Sequence, residues 1–228
     1  MEMLKNNIMK MNSKYISLLL SVFILSIVSQ AFAQEVENDY QSRIEFNLRW
    51  KPLKKLKINV SPQLRLNENF SVSKYLLETK VSYKVIKNFY LGVDYRFVVN
   101  PREEKDTELS QRFGFSANYM YKINDFKPEF RLSYTNYADD IYDAEKQNFL
   151  RYKLSLEYDI PKNKFTPSLS AELYHQLDEN QVYKMRYKAQ IDYKLFKHNF
   201  VSVYYKLDYF IQEYKNKHIF GITYKLKL

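Results

Sequence analysis

The sequence has no cysteine, and its 228 residues include only 3 glycines and 6 prolines. The absence of cysteine excludes a disulfide framework and a lipid-modified N-terminal cysteine. It says little about redox compartment, because many exported proteins lack the residue. No linker-like stretch interrupts the chain after its N-terminus. No apolar run there approaches the roughly 20 residues that a spanning helix requires. If the chain crosses a membrane, it must therefore cross as a closed sheet, the other structure that satisfies every backbone polar group in lipid. Nucleophile-elbow, phosphate-loop and zinc-ligand patterns are also missing.

Basic and aromatic residues are abundant. Lysine and arginine total 36 against 26 acidic residues, the net charge is +10, and aromatics make up 17%. At the N-terminus Lys5, Lys10 and Lys14 precede an apolar run from Tyr15 to Val28, and Ser29-Gln30-Ala31-Phe32-Ala33 has the small-x-small form of a signal-peptidase site. The pattern predicts a signal peptide over residues 1–33, cleaved after Ala33, with Met1, Met9 or Met11 as the start. Residues 34–228 are then one domain.

That domain reads as repeated hairpins. From Lys74 to Val85, Leu77, Thr79, Val81 and Tyr83 alternate with Glu78, Lys80, Ser82 and Lys84; from Phe89 to Val99, Leu91, Val93, Tyr95 and Phe97 alternate with Gly92, Asp94 and Arg96. A period of two places each set on one face of a strand. The same alternation defines arms from Arg43 to the C-terminal Phe220, Ile222, Tyr224, Leu226 and Leu228, eleven in all. Tight turns fall near Pro52–Lys55, Asn88, Asn124, Asn163 and Asn199, and longer polar connections fall between them. Short turns on one side and longer loops on the other are the layout of an outer-membrane barrel with its turns in the periplasm. The fold class expected is all-β, an antiparallel up-and-down transmembrane β-barrel. Bacterial barrels are usually even-stranded, so the preferred count is twelve, with a short extra strand in Gln34–Tyr40; ten and eleven are the alternatives, eleven requiring a parallel closing pair.

Aromatics on the apolar parity cluster at strand ends flanking the turns: Trp50, Tyr83, Phe89, Tyr121, Phe126, Tyr158, Phe165, Tyr193 and Tyr224. They form a candidate interface girdle. A lysine or arginine facing lipid at the midplane costs about 2–4 kcal/mol, so the polar parity must face inward. The candidate lumen-lining residues are Arg49, Arg65, Lys80, Asp94, Arg96, Arg112, Glu129, Arg131, Lys153, Glu157, Glu172, Arg186, Lys188, Asp192, Lys206 and Asp208. Basic groups exceed acidic ones, which suits either a lumen filled by cross-paired side chains or a narrow anion-preferring pore.

Two other functions suit parts of the pattern. A lipid-modifying enzyme with a rim site would use a histidine near a serine, yet His175 has Ser168 and Ser170 only deeper on its strand and on the opposite face, and His198 and His218 have no partner at ligand or triad spacing. The second is a soluble periplasmic barrel carrying an apolar ligand. The acidic segment Ala138–Glu145 lacks the spacing and glycine of a calcium loop. Basic residues spread over every strand, together with the export signal, argue against nucleic acid. No cofactor and no enzymatic activity are expected. The expected partners are outer-membrane lipids, lipopolysaccharide and the barrel-assembly machinery, and the sequence leaves oligomeric state open.

Leu91-Gly92-Val93-Asp94-Tyr95-Arg96-Phe97, Arg151-Tyr152-Lys153-Leu154-Ser155-Leu156-Glu157-Tyr158 and Pro167-Ser168-Leu169-Ser170-Ala171-Glu172-Leu173 resemble a family of small outer-membrane barrels known as domain of unknown function 2490. The resemblance spans the mature chain and implies a Gram-negative outer-membrane barrel of the Bacteroidetes type. It carries no activity and no catalytic residues. The chain departs from many such barrels in ending on Leu228 rather than on an aromatic.

Overall fold

The computed structural model describes residues 37–101, 106–136, 147–211 and 215–228. These form eleven strands: β1 (Glu37–Leu53), β2 (Leu56–Leu66), β3 (Val72–Ile86), β4 (Phe89–Asn100), β5 (Glu108–Met120), β6 (Phe126–Thr135), β7 (Phe149–Tyr158), β8 (Phe165–Gln176), β9 (Gln181–Lys194), β10 (Asn199–Phe210) and β11 (Lys215–Lys227). Each pairs with its neighbours in sequence, and β1 pairs with β11 to close the barrel. Residues 1–36 and the acidic segment Ala138–Glu145 lie outside the described residues.

The preferred count of twelve gives way to the eleven-strand alternative. Glu37–Tyr40, read as part of an extra strand, continue β1 instead. No turn residue separates them from the rest, and Tyr40 keeps the parity of Ile44 and Phe46, so nothing breaks the strand. The odd count makes the closing pair parallel, over a ladder from Glu37 opposite Lys215 to Arg49 opposite Lys227. All other pairs are antiparallel, as hairpins require.

Local chemistry sets the turns. Asn88, Asn124, Lys162 and Asn180 adopt positive φ of 67°, 52°, 58° and 50°; asparagine tolerates that region better than most residues. Ile123 and Phe126 exchange backbone hydrogen bonds of 2.9 Å across Asn124-Asp125. In Ile160-Pro161-Lys162-Asn163 the Asn163 N–H donates to the Ile160 carbonyl at 3.1 Å. The left-handed residue there is Lys162, one before the asparagine read as the turn centre.

Register follows the alternation. Leu77 opposes Phe97, Thr79 opposes Tyr95 and Val81 opposes Val93 on one face, while Glu78 opposes Arg96 and Lys80 opposes Asp94 on the other. A one-residue slip would exchange the faces of a whole strand, which is why the pattern specifies the pairing so firmly. The apolar parity points away from the barrel: Ile44, Trp50, Leu77, Tyr83, Leu91, Val93, Phe115, Leu154 and Phe220 are all exposed. On β3 outward side chains run from Tyr75 to Val85. Ten steps at about 3.3 Å, tilted about 40°, give an apolar band about 25 Å tall.

The turn-side aromatics also face outward and pair between strands. Phe126 stacks on Tyr158 at 4.7 Å between ring centroids, and Phe165 packs against Tyr193 at 4.8 Å. At the seam Phe46 stacks on Tyr224 at 5.8 Å. Near the loop-side end of the seam, Tyr40 stacks on His218 at 4.9 Å.

Candidate functional site

The inward parity builds a charged lumen, because every strand contributes alternate polar residues to it. Three carboxylates each gather cations from strands one or two away. Glu78 on β3 accepts from Arg96 on β4 and, at 2.8 Å, from Arg112 on β5, which also reaches Asp94 at 3.1 Å. Glu172 on β8 accepts from Arg151 on β7 at 2.8 Å and Arg131 on β6 at 3.2 Å. Asp208 on β10, with 0% exposure, accepts from Lys184 at 3.1 Å and Arg186 at 2.5 Å, both on β9. A fourth pair, Asp192 with Lys225 at 2.8 Å, joins β9 to β11 across β10. Stripping one partner from such a buried network costs about 3–5 kcal/mol, because the other charge is left uncompensated.

The two ends of the lumen differ. At the loop end the inward side chains Leu76, Val98, Phe149, Tyr174, Phe210 and Ile219 are buried, Phe149 and Ile219 completely. Tyr183 packs against both Phe149 and Phe210, at 5.4 Å each. The Lys184 ammonium lies 4.8 Å from the Tyr174 and Phe210 ring centroids. Below this filled end lies a cavity of about 640 Å³, which continues through the turn-side half of the barrel past Arg49, Lys127, Glu157, Ser168, Asp192 and Lys227.

Fifteen lysines and arginines and seven carboxylates line that cavity. The residues singled out in the sequence fall as follows. Arg49, Arg65, Lys80, Asp94, Arg96, Arg112, Glu129, Arg131, Lys153, Glu157, Glu172, Arg186, Lys188, Asp192 and Lys206 line the cavity, whereas Asp208 is buried beyond it. Arg43, Gln63, Ser170, Thr223, Lys225 and Lys227 also line it. Parity would have found Lys225 and Lys227, since they alternate with Tyr224 and Leu226. Inward aromatics such as Phe149, Tyr174, Tyr204 and Phe210 were not legible, because they sit on the parity that charge marks as polar.

Two of the three histidines are held by hydrogen bonds. The His175 ring lies 3.1 Å from the Asn180 side-chain oxygen in the adjoining turn. Ser168 and Ser170 line the cavity, on the face opposite His175. The His218 ring bridges Tyr205 Oη at 2.7 Å and Asn38 Oδ1 at 3.0 Å, tying β10, β11 and β1 together. Among the described residues no cluster of three metal-ligating side chains occurs. An apolar-ligand carrier needs an apolar cavity; this cavity is lined by charge, and the exposed apolar surface lies outside.

A closed sheet with aliphatic and aromatic side chains outside and ion-paired side chains inside defines an all-β, up-and-down β-barrel of eleven strands. The chain belongs to the family described as protein of unknown function (DUF2490), which matches residues 40–218. A solved structure described as "Unveiling the Mechanism Behind the in-meso Crystallization of Membrane Proteins" is similar at 12% identity and a TM-score of 0.40, covering 75% of each chain. No curated protein matches.

Proposed function

We propose that this protein is an integral outer-membrane β-barrel, exported through a signal peptide cleaved after Ala33, with its short turns in the periplasm. Its lumen serves as a structural core that is at most a narrow, anion-preferring path. The observation that carries the reading is the segregation of surface: an apolar band about 25 Å tall outside, by strand rise and tilt, and buried arginine and lysine within. Reversing the faces would set more than a dozen cations in lipid, at about 2–4 kcal/mol each near the midplane. The turn-side aromatics support the same placement, since such rings favour the headgroup level. Outer-membrane lipid and lipopolysaccharide are then the surroundings of the band, and the barrel-assembly machinery the route of insertion.

No catalytic role is part of the reading. Carbonate extraction tests it: the protein stays with the membrane until detergent is added, and release by carbonate or salt alone overturns it. In planar bilayers the filled loop end keeps unitary current small. Any current that flows prefers anions, and a cation preference refutes the electrostatic part of the reading.

A further inference from the structure

The carboxylates of the lumen do not reach all of its cations. Among the described residues no acidic group lies within salt-bridge distance of Lys80, Lys153, Lys188, Lys206 or Arg43. Lys188 and Lys206 stand directly opposite each other on β9 and β10. Like charges in that position repel, so the sheet accepts a local cost there.

Both ammonium groups converge on one ring. Lys188 Nζ is 4.4 Å and Lys206 Nζ 4.5 Å from the centroid of Tyr204. The Tyr204 ring packs over Gly221 of β11, where a Cβ would collide with it. Gly221 in turn pairs with Arg43 of β1. Tyr204 is 6% exposed and its hydroxyl has no hydrogen-bond partner; Arg43 is 3% exposed and its Nε–H has none either. Buried donors are nearly always satisfied, and an orphan costs about 1–3 kcal/mol. The further charges acting on Lys206 are Arg186, which is bound to Asp208, and Glu45, which accepts from Gln63 at 3.1 Å.

We infer that the deep wall of the cavity, where Arg43, Lys188 and Lys206 line it around the buried ring of Tyr204, is a binding site for a multiply charged oxyanion of the phosphate class, entering from the turn side. Two ammonium groups and a guanidinium offer only donors, the complement of an acceptor-only anion. A cavity of about 640 Å³ also exceeds the need of a bare ion and lies in the range of small organic ligands, so a phosphate monoester fits as well as inorganic phosphate. This inference rests on the barrel reading above and adds a ligand to it.

The full mature chain, refolded in a phosphate-free non-ionic detergent, is titrated calorimetrically with inorganic phosphate, glycerol 3-phosphate and chloride. Folding is verified beforehand by heat-modifiable migration. Saturable binding of a phosphate species, with chloride at least tenfold weaker, supports the site. Absence of phosphate binding by the folded barrel overturns the inference and leaves the barrel reading standing, whereas failure to fold into vesicles strikes the barrel reading. Glycerol 3-phosphate and inorganic phosphate separate an organic ester from the free ion. Adding phosphatidylglycerol to the detergent reveals a lipid headgroup as the source if it competes.

Lys188→Gln and Lys206→Gln are the diagnostic variants. Each removes one of two repelling charges, so each raises the thermal midpoint of the ligand-free barrel while weakening phosphate at least tenfold. Lys227→Gln, at the cavity mouth, changes phosphate affinity less than threefold. Equal effects of Lys188→Gln and Lys227→Gln, or a lower ligand-free midpoint in Lys188→Gln, overturn the assignment.

Discussion

Leu154 offers the sharpest test of which face meets lipid. It is 62% exposed, centred on β7 between outward Leu150 and the girdle residue Tyr158, and opposes Phe130 on β6 and Ala171 on β8. Leu154→Arg therefore places a guanidinium near the middle of the apolar band, far from either rim. The cost on the outer-membrane barrel scale is about 2–4 kcal/mol, or roughly 30- to 1,000-fold in the folding equilibrium. The matched control is Ser168→Arg, which adds the same side chain to the cavity wall directly opposite Glu157. A water-accessible pair of that kind changes stability by no more than about 1 kcal/mol. Urea titration of folding into lipid vesicles measures both. Trp50, the single tryptophan, lies half-exposed on the outer face near the turn side and reports insertion by its fluorescence. Equal shifts for the two variants, or a larger shift for Ser168→Arg, would refute the assignment of faces.

Three further outcomes follow from the ion pairs, the glycine and the loops. Glu172→Gln removes the negative charge shared by Arg131 and Arg151, and the vesicle unfolding midpoint should fall by the equivalent of about 3 kcal/mol; a loss below about 1 kcal/mol would mean that the pairs add nothing net. Gly221→Ala drives a methyl into the Tyr204 ring, so heat-modifiable folding is impaired, and adding Tyr204→Ala restores it; a folded Gly221→Ala single variant contradicts the packing. The Asp178 carboxylate, in the β8–β9 connection, accepts from the Asn148 backbone N–H at 2.7 Å and its amide at 3.1 Å, which holds the carboxyl below the usual carboxylate range. A depressed folded value means that this clasp acts fully above the unfolded carboxylate range and is lost as pH falls through the lower folded value. Exchange of the Asn148 amide should therefore be protected at neutral pH, lose protection in acid, and be unprotected at both in Asp178→Ala.

The hairpin Lys74–Val99 shows how much of the fold the pattern of residues carries. Its parity, its turn at Asn88 and its pairing all persist, because every side chain in it argues for the same face. The strand count was less accessible. Evenness is a habit of the class rather than a property of these residues, and the unbroken parity from Tyr40 through Trp50 was the better guide. Identifying lumen residues needed only alternation, so most of the cavity wall was legible. What alternation cannot express is depth and neighbourhood. Tyr204 and Phe149 share the inward parity, yet one meets two lysines over a glycine and the other completes a buried aromatic cluster. Those differences arise from residues more than ten positions apart meeting across strands, and no local window contains them.

The parallel seam also governs how the protein could be rewired. In an even barrel the first and last strands run oppositely, their ends emerge together, and a short linker can join them. Here Glu37 and Lys227 lie at opposite ends of the β1–β11 ladder. A linker joining them would have to climb the full barrel height, about 25 Å or some eight extended residues, through the lumen or across the outer face. Cargo fused at the two ends would accordingly emerge from opposite ends of the barrel, and a circularly permuted version of this barrel has no short route to closure.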